Sequence, residues 1–310
     1  MKKYFLLWNV VEKKCLASIN ELELTIEQLQ KSENSIVIKS LFVYGVSTFE
    51  NAMTDILKEF CKAWPQKMPS KEISFSKEQI LNDTEVIVDT FLESSINKFT
   101  YGPLEKYISE FTKLLAIEEI PHVSELIEIK ETRNLIIHNN MIVNAIYLSK
   151  CKNECVRATE QDINKQLPFD KKYAYDSLKL CIDVLSDNIL AKLKDKYGSY
   201  TKIRAMKEIW DELFNSPILK FDDYWEYDDA GNLRHFINKS IGDYFNSCYS
   251  TTEEILVGKI MMHYWGSLQN IKGVNIDLFN TDRMYGDRKV KFLHLQDILF
   301  RYPQLFQQDI

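Results

Sequence analysis

The amino-acid sequence predicts an all-α protein, a helical bundle followed by a smaller helical C-terminal domain. Three observations carry this. Nine glycines and seven prolines among 310 residues leave few turn points for a sheet-rich fold. Hydrophobic residues make up 45% of the chain, enough to bury a sizeable core. The apolar residues recur at three- and four-residue spacing, the period of a helix.

Taken in order, Ile19, Leu22, Ile26 and Leu29 form an apolar stripe, so a long amphipathic helix is expected over roughly residues 3 to 31. The polar run KSENS (31–35) ends it. Phe49, Met53, Ile56 and Phe60 stripe a second helix over about 35 to 63. The two-proline stretch WPQKMPSKEISFS (64–76) reads as a loop, and 77 to 117 as shorter helices interrupted near TYGP (100–103). Pro121 suits the start of a helix ending near His138 or Met141. Leu178, Cys181, Leu185, Ile189 and Leu193 mark a long helix over about 171 to 196. KYGSY (196–200) is the best boundary, dividing the chain into 1–197 and 198–310. In the second part, NSP (215–217) and DDAGN (228–232) read as turns between further helices.

Composition narrows the function. A net charge of −6 argues against indiscriminate nucleic-acid coating and leaves room for a local basic cleft. The six cysteines (15, 61, 151, 155, 181 and 248) contain no Cys-x-x-Cys pair. They read as free thiols of a reducing compartment, and no metal site is expected. The apolar run in MKKYFLLWNVVEKK is short and cut by Asn9 and a charged EKK, unlike a secretory leader. No run approaches the roughly 20 apolar residues of a membrane span. A cytoplasmic protein that needs no cofactor is expected. Phosphate loops, His-Glu-x-x-His and glycine-rich dinucleotide fingerprints are absent from the sequence.

The segment ETRNLIIHNN (131–140) carries the chemistry. Arg133 and His138 stand five apart inside an otherwise apolar helical run. Asn134 and His138 are i and i+4 on one face, and Arg133 lies about 140° round the axis from His138. A permanent cation and a group titrating near neutral pH suit RNA phosphodiester cleavage. A base takes the proton of the attacking 2′-OH, an acid protonates the leaving oxygen, and the guanidinium stabilises the phosphorane. The plain alternative is a surface ion pair with a histidine in the last helical turn. A second pair, Arg288 and His294, has a five-residue spacer in the charged stretch DRKVKFLH and reads as a solvated face.

The stretch ELIEIKETRNLIIHNNMIVNAIYL resembles the signature of the HEPN superfamily, in its stand-alone nuclease-like branch. The matching pattern is Arg133, the polar Asn134, the apolar Leu135-Ile136-Ile137 and His138 at a helix end. The resemblance covers roughly residues 1–196. It implies a metal-independent endoribonuclease, a toxin or antiviral-defence effector, working as a homodimer whose two motif helices form one RNA-binding cleft. It also implies a restraining antitoxin or defence partner. On this reading Arg133, His138 and Asn134 are catalytic, and Glu50 and Asn139 support them. Glu50, in TFENAM, stands where family members often place a polar residue near the site, a position from which it would orient the arginine; the plain alternative is a solvated helix residue. Toxins of the nucleotidyltransferase-paired subclass carry a tyrosine two residues after the histidine; Asn140 stands there instead. The rival reading is a non-catalytic helical module for dimerisation or for RNA or protein binding.

Other residues read more plainly. His122 follows Pro121 as a helix-start residue, and His263 in KIMMHYW as a half-buried core histidine. The aromatic group Tyr224, Trp225 and Tyr227 sits among aspartates that would repel phosphate, so it suits packing or a protein contact.

Overall fold

The computed structural model describes residues 4–68, 102–151 and 156–201, with short pieces at 90, 94–96, 204–205, 208, 225–227 and 233–236. The chain separates into two compact units, Trp8–Gly198 and Met1–Leu7 with Ser199–Ile310. Among the described residues the first unit is built from helices.

Helix α1 spans Trp8–Lys31 and α2 spans Ser35–Ala63. Val11, Cys15, Ile19, Leu22, Ile26 and Leu29 turn inward from α1 at alternating three- and four-residue steps. The expected start near residue 3 is corrected to Trp8. Residues 4–7 are not helical, and no acidic residue stands in the first turn of α1 to favour an earlier start. Asn34 caps α2, its Oδ1 accepting from the Ile36 amide at 2.9 Å, which folds the chain back into a hairpin. Helix α3 is Leu104–Leu115, α4 is Val123–His138 and α5 is Ala145–Lys150. Helix α6 (Lys171–Asp183) runs through a π-helical turn, Val184–Leu190, into α7 (Ala191–Tyr197).

Helix α2 is the hub. It packs on α1, α3, α4 and α6, and α6 also lies on α1. Gly45 permits the closest approach: a Cβ there would meet Leu178 Cδ2 at 2.6 Å. The π turn has a packing reason. Cys181, Leu185, Ile189 and Leu193 are all fully buried and lie four apart. Four residues overshoot a 3.6-residue turn, so an unbroken α-helix would carry this stripe round its axis. The wider i→i+5 winding takes the drift back and keeps the stripe on the core. Helix α7 then satisfies the C-terminal carbonyls of α3: Tyr197 Oη donates to Leu115 O at 2.7 Å, and Lys196 Nζ to Ala116 O.

After α4 the chain turns sharply. Asn140 and Met141 adopt left-handed backbone, with φ of 47° and 64°. The amides of Asn139 and Met141 both reach Leu135 O at 3.0 Å, closing the helix end. The segment that follows folds back on itself through an isolated antiparallel bridge between Ile142 and Gln166. It has its own small core of Leu135, Met141, Val143, Tyr147, Cys151, Ala158 and Leu167.

In the other unit β1 (Trp225–Tyr227) and β2 (Leu233–Phe236) pair antiparallel, where the sequence predicts only helices and turns. The aromatic and apolar segments WEY and LRHF supply β-formers to both strands. Residues 77–89, Arg288, His294, His263 and the rest of the expected C-terminal helices lie outside the described residues. Among the described residues no helix is long and apolar enough to cross a membrane.

Candidate active site on helix α4

Helix α4 has core on several sides. Leu126, Ile127, Ile129 and Leu135 are buried, and so are the polar Glu128, Glu131 and Thr132. A helix wrapped this way needs partners for its charges, and they come from two directions.

Towards α2, Lys130 and Arg133 stand i and i+3 and share Glu50. Lys130 Nζ lies 3.1 Å from Glu50 Oε1, and Arg133 Nη2 is ion-paired to Glu50 Oε2. The three side chains are 14%, 17% and 22% exposed, so all keep limited contact with solvent. Arg133 Nη1 donates to Asn134 Oδ1 at 3.0 Å. Asn134 Nδ2 in turn donates to Glu131 Oε2 at 3.2 Å, and Lys150 Nζ on α5 sits 3.2 Å from Glu131 Oε1. Lys130, Glu50, Arg133, Asn134, Glu131 and Lys150 thus form one continuous chain across α2, α4 and α5. Arg133 Nε is buried and has no hydrogen-bond partner among the described residues.

His138 is placed differently. It is the last residue of α4 and is exposed, and among the described residues no side chain hydrogen-bonds its ring. Asn139 is used locally: its Nδ2 donates to Ile142 O at 2.5 Å, holding the turn after the helix. Around this end Ile137, Ile142 and Ile146 remain exposed, Ile146 at 61%. The structure therefore brings Glu50, Arg133 and Asn134 together and leaves His138 apart from them, at the solvent end of the same helix.

On the other side of α4 lies a cluster that the sequence pattern does not reveal. Glu128 accepts from Thr132 Oγ1 (2.6 Å), Tyr147 Oη (2.7 Å), Tyr173 Oη (2.6 Å) and Arg157 Nε (2.9 Å). Arg157 also donates to Pro168 O at 2.7 Å, and its guanidinium lies 3.5 Å over the Tyr173 ring. Burial, with the Glu128 charge beside them, holds the Tyr147 and Tyr173 hydroxyls far above the ordinary phenol range, so both act as neutral donors. Every polar group of this cluster has a partner, which marks it as a structural clamp between α4 and residues 141–173. The one signal in the sequence is a glutamate four residues before a threonine in an apolar helix; Arg157 and Tyr173 are too distant along the chain to be paired with it.

Cys15, Cys61, Cys151 and Cys181 are buried free thiols. Burial pushes Cys15, Cys61 and Cys151 up to about 12 and Cys181 higher still, so none is poised as a nucleophile. Among the described residues no group of three or more His, Cys, Asp or Glu side chains could hold a metal ion. No protein-family model, curated protein or solved structure matches the chain.

Proposed function

We propose that this protein is a metal-independent endoribonuclease of HEPN type, acting as a homodimer. The observation that carries the reading is the contrast between the two motif residues. Arg133 is a guanidinium held in place by Glu50 and Asn134. His138 is an exposed imidazole with no hydrogen-bonding side chain among the described residues. A transition-state cation works best when it is fixed beforehand. A proton-transfer group needs a free nitrogen and access to substrate. In the proposed reaction His138 takes the ribose 2′-OH proton, and the oxygen attacks the adjacent phosphorus. Arg133 stabilises the phosphorane, and a histidine protonates the departing 5′-oxygen. The products carry 2′,3′-cyclic phosphate and 5′-hydroxyl ends. The nucleophile belongs to the RNA, so the step needs no metal.

Asn134 is a positioning residue in this scheme, since its amide is engaged at both ends within the chain. The dimer answers the separation of the two groups: two α4 ends brought together supply two arginines and two histidines to one cleft. The exposed Ile137, Ile142 and Ile146 beside His138 are apolar surface for a second copy to cover. Those isoleucines also favour the second reading, a helical module that dimerises or binds a partner without chemistry. An antitoxin or defence partner that restrains cleavage belongs to the first reading.

The deciding experiment is cleavage of a generic RNA by purified wild type, Arg133→Ala and His138→Ala in the presence of EDTA. Each substitution is expected to lower kcat about 10²-fold or more. Equal cleavage by all three proteins, or an absolute magnesium requirement, overturns the nuclease reading.

A further inference from the structure

We infer that Lys130 is a second phosphate-binding cation of the α4 site, one that holds the RNA backbone beside the phosphate on which Arg133 acts. The inference rests on the nuclease reading and adds to it a residue outside the Arg-x4-His motif.

Three observations lead there. First, Lys130 and Arg133 are i and i+3 on α4, so they present two cations from one face about a turn apart. Second, both pair with a single carboxylate, Glu50, one on each oxygen. One anion between two cations leaves a net charge of +1 at the locus, which a phosphodiester of charge −1 neutralises. Third, the buried Arg133 Nε has no hydrogen-bond partner among the described residues, so this guanidinium is not fully paired by its contacts to Glu50 and Asn134. A cluster serving only to join α4 to α2 would be neutral and fully paired, as the Glu128 cluster is. Lys130 suits the holding role and Arg133 the chemical one. The ammonium is a compact point charge with three rotatable donors, so it can serve Glu50 and still turn a donor to a phosphate. The guanidinium is a rigid fork. In an acidic protein a local surplus of this kind is also where RNA is best received.

The test separates holding from folding and from chemistry. Binding is measured on a 2′-O-methyl oligoribonucleotide, which keeps the phosphate backbone and lacks the attacking hydroxyl, at several salt concentrations. Wild type, Lys130→Gln and Lys130→Arg are compared, with thermal melting of each and with KM and kcat on cleavable RNA. Lys130→Gln should lower the log–log salt slope by about 0.7 for each phosphate no longer neutralised, which is about a fivefold weaker binding at 0.1 M relative to 1 M salt. The weakening should be the same for unrelated sequences and should appear in KM more than in kcat. Lys130→Arg, which keeps the charge, should restore most of the slope. If Lys130→Gln binds with the wild-type slope, or Lys130→Arg is as impaired as Lys130→Gln, the inference is wrong, and Lys130 only braces Glu50. If the wild type itself neither binds nor cleaves RNA, the nuclease reading falls first. Wild-type cleavage with an unaltered Lys130→Gln slope leaves that reading standing and removes only this one.

Discussion

Replacing Glu128 with glutamine tests what fastens the segment after the motif to helix α4. The carboxylate is 4% exposed and receives donors from Thr132, Tyr147, Arg157 and Tyr173. The amide of glutamine would keep one acceptor oxygen and turn an NH2 group towards groups that donate. A tyrosine hydroxyl can rotate to accept; the Arg157 Nε–H cannot. Arg157 would then be a cation without its counter-charge, and removing one partner of a buried pair costs about 3–5 kcal/mol. Its side chain is 25% exposed, so water recovers part of this, and about 2–4 kcal/mol is expected. For a unit the size of Trp8–Gly198, each kcal/mol is worth about 2–4 °C, so Tm should fall by roughly 4–16 °C. The assay is thermal unfolding followed by circular dichroism, with hydrogen exchange of the 141–151 and 156–167 amides. Those amides should lose protection before the α1–α2 hairpin does. A drop under about 2 °C, or additive effects of Glu128→Gln and Arg157→Leu in a double-mutant cycle, would refute the clamp.

Further outcomes follow from the same packing. Glu50→Gln should separate binding from chemistry: freed of their anion, Lys130 and Arg133 should bind a 2′-O-methyl oligoribonucleotide more tightly. The guanidinium would also lose its anchor, and kcat on cleavable RNA should fall about 10²-fold; a parallel loss of both contradicts the assignment. Gly45→Val places its first side-chain atom 2.6 Å from the fully buried Leu178, so a destabilisation of about 1–3 kcal/mol is expected in urea unfolding, and an unchanged midpoint contradicts the packing. The thiols give a pH dependence. Cys15, Cys61 and Cys151 hold their protons to about 12 in the folded chain and to about 8.5 when unfolded, so the native state binds more protons between those values. Their contribution to stability is complete below about pH 8.5 and is lost as pH rises towards 12, each thiol removing up to about 1.4 kcal/mol per pH unit. Tm should therefore fall across roughly pH 9–11, and native protein at about pH 8 should leave these cysteines unmodified by iodoacetamide; rapid native labelling of them refutes the burial.

The helices were legible where one face carries the signal. The stripe Phe49, Met53, Ile56, Phe60 is buried in α2, and Ile19, Leu22, Ile26, Leu29 in α1. The π turn was not legible, because apolar residues four apart look the same whether the helix winds at 3.6 residues or wider. The start of α1 was misplaced because Tyr4, Phe5, Leu6 and Leu7 extend an apolar run without a capping residue to end it. The pairing of Trp225–Tyr227 with Leu233–Phe236 is not legible in the sequence, because short aromatic segments fit either period. At the site, Arg133, Asn134 and His138 are marked by their spacing. That Lys130 and Arg133 share a face is also in the spacing, but the anion they share comes from α2, and no periodicity connects Glu50 to residues about 80 positions away.

The separation of Arg133 from His138 bears on where control of the proposed cleavage would act. Arg133 is tied through Glu50 and Asn134 into a chain of contacts across three helices. Repositioning it would mean breaking several charge-assisted bonds together. His138 depends on much less: the last turn of α4, two left-handed residues and the Asn139–Ile142 contact. A partner that covers Ile137, Ile142 and Ile146 would act on the histidine end without disturbing the arginine. A second copy docking there would assemble the site; a different protein docking there would block it. Assembly and restraint would then compete for one surface, and the arginine would remain in place through both.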